Sequence, residues 1–146
     1  MTLPSAARIV EVGPRDGLQN EKRYFDIGVR TQLINMLADA GISHIEAGSF
    51  VSPKWVPQMA NSDQVFTGIE RRSDTFYIAL VPNLQGFELA VQAQANEVAI
   101  FTSASEAFAQ KNTNCSIAEN LARFSPILTR AKQEGIPVRG YVSCIA

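Results

Sequence analysis

Short runs of β-branched and apolar residues alternate along this chain with longer segments of helical periodicity. Alternation of this kind is typical of βα units, in which parallel strands form one sheet and helices cover it. Two of the runs, 78–81 and 98–101, are apolar at every position, as strands buried on both faces are. The pattern therefore predicts an α/β fold, and it argues against an antiparallel sheet with one solvated face.

Sequence signals divide the chain into strands and helices. Asp26 is placed to cap a helix that ends at Gly41, while Ser116 and Glu119 form a capping box for a helix that ends at Gly135. Shorter helices are predicted over 62–71 and 86–95, and a polar loop over 103–114. The strands are predicted over 8–13, 44–49, 75–81, 97–102 and 138–143.

Apolar stripes predict which faces of the two long helices are buried. On the helix after Asp26 the stripe consists of Val29, Leu33, Met36, Leu37 and Ala40. On the helix after Ser116 it consists of Ile117, Leu121, Phe124, Leu128 and Ala131. Pro126 interrupts that second helix, and because proline removes a backbone hydrogen bond, a kink or break is predicted near Ser125.

Chain length bears on the choice between two α/β architectures. A (β/α)₈ barrel takes about 250 residues, or about 31 per unit. The 146 residues therefore correspond to the first four to five βα units of a TIM barrel. A small doubly wound sheet would be complete with five strands, but neither G-x-G-x-x-G nor G-x-x-x-x-G-K-[ST] occurs. Because Ala146 directly follows a strand, we expect residues 1–146 to be the N-terminal portion of one barrel domain whose C-terminal half is absent.

Charge and composition exclude some classes of partner. The chain has 13 Lys and Arg against 14 Asp and Glu, so it has no basic excess for nucleic acid or an acidic membrane surface. No run approaches the roughly 20 apolar residues of a membrane span. Cys115 and Cys144 are predicted to be reduced thiols of a cytoplasmic protein. Charged residues make up 18% of the chain, less than the roughly 25% usual for globular chains. An open half-barrel would explain this low fraction, because its unpaired sheet edges are surfaces meant for burial.

Polar side chains follow the first predicted strand, at the edge where both architectures place active sites. The segment 13–21 contains Arg15, whose planar guanidinium suits a carboxylate, phosphate or enolate oxygen. Beside it, Asp16 is a hard oxygen ligand suited to a divalent cation. On spacing alone, a surface turn with a weak ion pair is favoured over an active site as the interpretation of both residues.

Two strand glutamates need partners. Glu46 lies within a strand predicted to be buried, so its carboxylate is costly unless it is paired, and Arg15 is the natural candidate. For Glu46, and more strongly for Glu11, a structural ion pair in the barrel interior is the competing interpretation. His44 is the only histidine in the sequence and precedes its strand, so a histidine-based catalyst is not predicted from this chain.

Four longer segments together carry a family resemblance. These segments, 12–21, 49–59, 112–117 and 139–144, are similar to hydroxymethylglutaryl-CoA lyase, and the similarity runs from about Ile9 to the end of the chain. A bare Arg-Asp-Gly would also fit isopropylmalate and homocitrate synthases, the carboxyltransferase domain of pyruvate carboxylase and certain aldolases. The longer strings favour the lyase family.

The resemblance implies a metal-dependent barrel that cleaves 3-hydroxy-3-methylglutaryl-CoA to acetoacetate and acetyl-CoA, in leucine degradation or ketone-body formation. Carried over by position, Asp16 would be a ligand of Mg²⁺ or Mn²⁺. Arg15 would neutralise the thioester oxygen as the enolate forms, and Glu46 would support Arg15 in catalysis. Arg15 and Gln19 would contact the acyl-CoA substrate. A homodimer is a further expectation from the family.

This sequence also departs from the family. The family's other metal ligands, a His-x-His pair and an asparagine, and its cysteine in a glycine-rich loop lie in the second half of the barrel. Residues 1–146 contain none of them, so we expect little or no activity from this chain alone. The alternatives are a related acyl-CoA synthase or aldolase on the same barrel, and a non-catalytic half-barrel that self-associates.

Overall fold

The structure is a computed structural model, which describes residues 3–145. Its strands are β1 (His44–Ser49), β2 (Phe76–Leu80), β3 (Glu97–Ser103) and β4 (Val138–Ser143). Its α-helices are α1 (Ile27–Asp39), α2 (Ser62–Gly68), α3 (Leu84–Gln92), α4 (Glu106–Thr113) and α5 (Ile117–Glu134). Within these residues, no helix combines the length and the hydropathy that crossing a membrane requires.

The strands form one parallel sheet in which spatial order follows chain order, β1-β2-β3-β4. Each strand pairs with the next one along the chain, as in a (β/α)₈ barrel. A doubly wound sheet instead reverses direction at a switch point, and no reversal occurs among the described strands. The predicted α/β fold and the choice of a partial barrel are therefore confirmed. A bulge between Glu46 and Gly48 shifts the register of β1 against β2.

The two faces of the sheet differ in what covers them. The helix-covered face holds the main hydrophobic core, whose largest members are Ile34, Ile45, Val65, Phe66, Tyr77, Phe87, Val98, Phe124 and Ile127. On the opposite face lies a small cluster of Ile78, Leu80 and Ala99, with Val10, Phe101 and Tyr141 packed against it. The polar network described below lies beside this smaller cluster.

The strand predicted over 8–13 is wrong. Glu11 alone forms an isolated bridge to Ile45, and residues 13–17 already belong to a helical turn. A strand needs a ladder of several backbone pairs. Residues 8–10 form no backbone hydrogen bonds with other described residues, so their β-branched composition alone does not make a strand.

The predicted helix caps are confirmed. Asp26 Oδ1 accepts the N–H of Val29 at 2.9 Å, and the α5 capping box between Ser116 and Glu119 forms in both directions. Gly41 and Gly135 follow α1 and α5 with φ of +88° and +69°. The break predicted near Ser125 does not occur, because α5 runs as one helix through Pro126. The loss of one N–H is tolerated in a helix packed along the sheet.

The predicted buried stripes are partly wrong. On α1 the buried residues are Arg30, Ile34 and Ala38, whereas Val29, Met36 and Ala40 are exposed. On α5, Phe124 and Ala131 are buried as predicted, but Leu121 and Leu128 are exposed. The buried face depends on how each helix lies against the sheet, and an apolar pattern cannot select a face that carries an arginine.

The boundaries of the shorter helices also differ from the predictions. Part of the predicted loop 103–114 is helix α4, which begins after Ser105. The Ser105 side chain accepts the N–H of Phe108 at 3.3 Å, a cap that stabilises a helix despite its polar composition. Helix α2 ends at Gly68 rather than at 71, and α3 begins at Leu84 rather than at 86.

Candidate active site

A tight π-helical turn, Gly13–Gly17, carries Arg15 and Asp16. It begins beside β1, where Glu11 N donates to His44 O at 2.9 Å and Glu46 N donates to Glu11 O at 2.8 Å. The turn closes on one acceptor, because the N–H groups of residues 15, 16 and 17 lie 3.1, 2.7 and 3.4 Å from Val12 O. Such π turns occur often at functional sites.

Glu11 fixes the start of this turn. Its Oε1 accepts the N–H of Gly13 at 2.6 Å. A Cβ at position 13 would lie 2.8 Å from that oxygen, so a side chain there would displace the carboxylate from its present position. Glu11 forms no ion pair within residues 3–145. The interior ion pair considered for Glu11 is therefore replaced by a hydrogen bond to the local backbone.

The carboxylate of Glu46 is the centre of the site. Arg15 Nε donates to Glu46 Oε1, which confirms the predicted pairing of these residues. Tyr141, on β4, donates its hydroxyl to Glu46 Oε2 at 2.8 Å. The Glu46 side chain is completely buried, whereas that of Arg15 is 11% exposed. Both Glu46 oxygens are thus occupied, and the arginine lies between the buried carboxylate and solvent.

No local sequence signal singles out Tyr141, although it lies in one of the segments that carry the resemblance. Its partner is 95 residues away in the chain, so only the pairing of the strands brings them together. Burial raises the pKa of Tyr141, and the negative charge and hydrogen bond of Glu46 raise it further. The phenol therefore keeps its proton at neutral pH and remains a donor to Glu46.

Asp16 provides a second, exposed carboxylate. Arg15 Nη1 donates to Asp16 Oδ1 at 2.8 Å, so one guanidinium connects the buried Glu46 with an aspartate whose side chain is 53% exposed. Asn20 Nδ2 donates to the Asp16 carbonyl at 2.8 Å and holds the turn from the following residues. The Oδ2 atom of Asp16 accepts no hydrogen bond within residues 3–145 and is free to bind a ligand.

The donor set does not make a complete metal site. Asp16 offers one hard oxygen ligand, but no group of three His, Cys, Asp or Glu side chains in the described part of the chain is arranged to hold a metal ion. Mg²⁺ and Mn²⁺ require several oxygen or nitrogen ligands. Residues 3–145 therefore supply at most part of such a site.

Of the predicted site residues, Arg15, Asp16 and Glu46 form one network. Gln19 follows the turn and is half-buried, and its side chain forms no hydrogen bond with the described residues. His44 lies at the opposite end of β1, with its ring stacked on Phe76 at a centroid distance of 4.9 Å. The site therefore contains a fixed cation, two carboxylates and a phenol, and no imidazole from the described residues.

Comparison with known proteins identifies relatives along nearly the whole chain. The model of a family described as HMGL-like matches residues 6–145. A Pseudomonas aeruginosa protein, 3-hydroxy-3-isohexenylglutaryl-CoA/hydroxy-methylglutaryl-CoA lyase, is 55% identical over 145 residues, which are 99% of this chain and 48% of that protein. The cytoplasmic 3-hydroxy-3-methylglutaryl-CoA lyase of Danio rerio is 60% identical over 142 residues, 97% of this chain and 42% of that protein.

Solved structures show the same correspondence. The crystal structure of hydroxymethylglutaryl-CoA lyase from Pseudomonas aeruginosa superposes with a TM-score of 0.93 at 55% identity, covering 99% of this chain and 48% of that one. A lyase from Acinetobacter baumannii, solved with coenzyme A and 3-methylmalate, superposes at 0.89 with 42% identity over 97% of this chain and 47% of that one. The chain thus spans about half the length of the curated relatives it matches.

Proposed function

Because this chain belongs to the HMGL-like family, we propose that it forms part of a carbon–carbon lyase that cleaves 3-hydroxy-3-methylglutaryl-CoA to acetoacetate and acetyl-CoA. The observation that carries the proposal is the position of Arg15, held on a π turn between buried Glu46 and exposed Asp16. We propose that the complete active site requires a protein as long as these relatives. Residues 1–146 alone are proposed to have little or no activity.

The proposed reaction is a retro-Claisen cleavage. The tertiary hydroxyl loses its proton to a base, the C2–C3 bond breaks, and the former alcohol carbon becomes the ketone of acetoacetate. The electrons of the broken bond pass to the thioester side as the enolate of acetyl-CoA, which then takes a proton at C2. The chemistry thus requires a cation at the thioester oxygen, where negative charge develops.

Arg15 is proposed to supply that cation. Its guanidinium is always charged and presents several donors in a fixed plane. Glu46 uses the Nε side of that plane, which leaves other N–H groups for a substrate oxygen near Asp16. Donors held in place before the reaction stabilise the transition state without reorganising. Glu46 and Tyr141 are buried behind the arginine and would act as positioning residues. Gln19 is proposed to contact the acyl-CoA.

Asp16 is proposed as one ligand of a divalent cation, Mg²⁺ or Mn²⁺. Its carboxylate is the exposed member of the network and has a free oxygen. Such a cation, when bound, would polarise the oxygens of the substrate. Residues 3–145 lack a complete ligand set, so the remaining ligands would belong to the part of the barrel that this chain does not span.

The proposed function is tested by expressing the protein from its complete coding region, read beyond codon 146, beside the 146-residue chain. We expect the complete protein to form equal amounts of acetoacetate and acetyl-CoA when Mg²⁺ or Mn²⁺ is added, and the shorter chain to form neither. Asp16→Asn should lower the rate by about 100-fold or more. Asp63→Asn, at the start of α2, is the matched control and should leave it unchanged.

Each alternative has its own outcome. No cleavage by the complete protein would remove the lyase proposal. Condensation or aldol activity on other substrates would favour a related synthase or aldolase. Cleavage by the 146-residue chain, abolished by Asp16→Ala, would show that half a barrel is sufficient. A stop codon after Ala146, together with a dimeric mass and no turnover, would favour the self-associating half-barrel.

Substrate range, cellular location and assembly are proposed from the relatives. The name of the Pseudomonas aeruginosa relative includes an isohexenyl-substituted substrate, so the assay should compare both acyl-CoA compounds. We propose a cytoplasmic location, as in the Danio rerio relative, although the Homo sapiens relative is mitochondrial. A homodimer is proposed as the assembly, and the mass of the complete protein in solution tests it.

A further inference from the structure

Arg30 is a buried cation outside the network around Arg15. It lies on α1 and is 2% exposed. Its Nη1 donates to Ala60 O at 2.7 Å, while Nη2 lies 3.3 Å from Ser62 Oγ and 3.9 Å from Met59 Sδ. Within residues 3–145 no carboxylate lies within ion-pair distance of it. A buried arginine without an acidic partner is costly, so its contacts need an explanation.

Carbonyl groups at a helix end provide part of that explanation. Ala60 follows the short 3₁₀ helix Pro57–Met59, whose last carbonyls have no partners within the helix. The carbonyl oxygen of Ala60 carries a partial negative charge, and a charged donor such as Arg30 forms a stronger hydrogen bond to it than a neutral donor would. Arg30 therefore holds the end of the loop that follows β1. Burial lowers the pKa of Arg30, but a guanidinium remains charged at any physiological pH.

Ser62 connects Arg30 to β1. Its hydroxyl donates to Met59 O at 2.8 Å and accepts from Arg30 Nη2 and from the N–H of Ser49, the latter at 3.2 Å. One donor and two acceptor sites are all that a hydroxyl has, so every one is used. The approach is close, since a Cβ at Gly48 would lie 2.8 Å from Ser62 Oγ.

This hydroxyl replaces a strand neighbour at the end of β1. Phe50 N donates to Leu80 O of β2, whereas the N–H of Ser49 donates to Ser62 instead. The bulge between Glu46 and Gly48 interrupts the regular ladder just before this point. The segment that begins at Glu46 is therefore held by β2 and by a side chain that Arg30 fixes.

We infer that Arg30 is a positioning residue, which acts through Ser62 to fix the carboxyl end of β1 and with it the orientation of Glu46 toward Arg15. The structural part stands on the hydrogen bonds alone. Its consequence for turnover rests on the proposed function, and the two parts are measured separately.

Amide hydrogen exchange at Ser49 tests the structural part in the protein expressed from its complete coding region. Arg30→Met should speed exchange of the Ser49 N–H by about tenfold, because local opening loses one hydrogen bond to a charged group. Arg30→Lys should restore most of the protection. Ser62→Ala should have at least the effect of Arg30→Met, and the double variant should exchange no faster than Ser62→Ala alone.

A matched control separates positioning from general loss of stability. Arg71 also donates to backbone carbonyls, at 2.7 Å to Gln94 O and 2.8 Å to Ala93 O, but its guanidinium lies over the ring of Tyr77, near the amino end of β2, and forms no hydrogen bond with Ser49 or Ser62 among the described residues. Arg71→Met should leave Ser49 exchange unchanged. The inference is overturned if Arg30→Met leaves Ser49 unchanged, if all amides accelerate equally, or if the effects of Arg30→Met and Ser62→Ala add. If Arg30→Met fails to fold, Arg30→Gln, which removes the charge, decides: exchange at Ser49 faster by about threefold or more supports the inference, and unchanged exchange overturns it.

Kinetics test the functional part. In the complete protein, Arg30→Met should lower kcat about fivefold with KM changed less than about twofold, because Glu46 acts behind Arg15 rather than on the substrate. Arg30→Lys should recover most of kcat. An unchanged kcat, or a KM effect alone, overturns the functional part. If the unsubstituted protein shows no turnover, the proposed function fails, and the exchange data still decide whether Arg30 fixes β1.

Discussion

Two glutamate–arginine pairs lie on the face of the sheet opposite the helices, and they are built differently. Glu97 and Arg139 come from the adjacent strands β3 and β4, with 2.9 Å between Glu97 Oε1 and Arg139 Nε. Glu46 belongs to β1, but its partner Arg15 comes from a turn and also contacts exposed Asp16. The first pair connects two strands, whereas the second connects a strand with a group that faces solvent.

The difference distinguishes a structural pair from one suited to binding. In the Glu97 pair, both backbones are fixed by the same ladder, and no second carboxylate from residues 3–145 contacts the arginine. In the Glu46 pair, the carboxylate is saturated by Arg15 and Tyr141 while the arginine keeps donors near the surface. An ion pair is thus a candidate for function when its cation, rather than its buried anion, has unused hydrogen-bonding capacity.

The largest expected effect is the coupling between Arg15 and Glu46. Arg15→Met leaves a completely buried carboxylate with Tyr141 as its remaining partner. The two single substitutions together should therefore lower the unfolding free energy by more than the double substitution does. We expect a coupling energy of about 3 kcal/mol from urea unfolding of the wild type, Arg15→Met, Glu46→Gln and the double variant. A coupling energy below that of the Glu97–Arg139 pair would contradict the prediction that the buried Glu46 depends more strongly on its arginine.

Tyr141→Phe should have the next largest effect. It removes the donor to Glu46 Oε2 and leaves a buried charged acceptor, at an expected cost of about 2 kcal/mol in unfolding free energy. Tyr77→Phe is the matched control, because the Tyr77 hydroxyl donates to a neutral carbonyl, Glu70 O, and should cost about 1 kcal/mol. Equal losses would mean that the charge on Glu46 does not strengthen its bond to Tyr141.

The pair between Glu97 and Arg139 should couple more weakly. The Arg139 side chain is 26% exposed, and solvent screens its interaction with Glu97. The four-variant cycle with Glu97→Gln and Arg139→Met should give about 1 kcal/mol. A coupling energy near that of the Arg15 pair would show that the exposure of Arg139 does not weaken its interaction with Glu97.

The smallest expected effect is a pH dependence near the Glu97 pair. Burial lowers the pKa of His44 below 6.5, and the charges of Arg8 and Arg139 lower it further against the opposing charge of Glu97. The unfolded chain therefore binds the proton more readily, so stability should fall as the pH decreases from about 6.5 through the folded pKa. His44→Phe keeps a ring stacked on Phe76 and should flatten the profile measured by urea unfolding between pH 7 and about 5. An identical profile in the variant would assign the pH dependence to other groups.

The sequence predicted the features that depend on neighbouring residues. Caps at Asp26 and Ser116 and the end of a helix at Gly135 follow from local chemistry, and the structure confirms them. The Arg15–Glu46 pair was also predictable, because a carboxylate in a buried strand needs a cation nearby. The order of the strands then followed from the alternation of elements.

Features that depend on packing at a distance were missed. Tyr141 reaches Glu46 across 95 residues, and no local pattern marks that contact. The buried face of α1 is centred on Arg30, Ile34 and Ala38, and an apolar stripe cannot indicate a face that carries an arginine. The segment 8–13 has the composition of a strand. Among the described residues, however, only Glu11 pairs with another backbone, so the segment does not form a strand.

The closure of the 13–17 turn on the carbonyl of Val12 bears on how such a barrel can change during evolution. Three main-chain N–H groups maintain the path of the turn, and none of them depends on the side chains of Arg15 or Asp16. Mutation at these two positions can therefore alter the charge presented at the rim while the loop that presents it keeps its shape. New reactions could arise on this scaffold by exchanging two side chains, without a new loop having to evolve first.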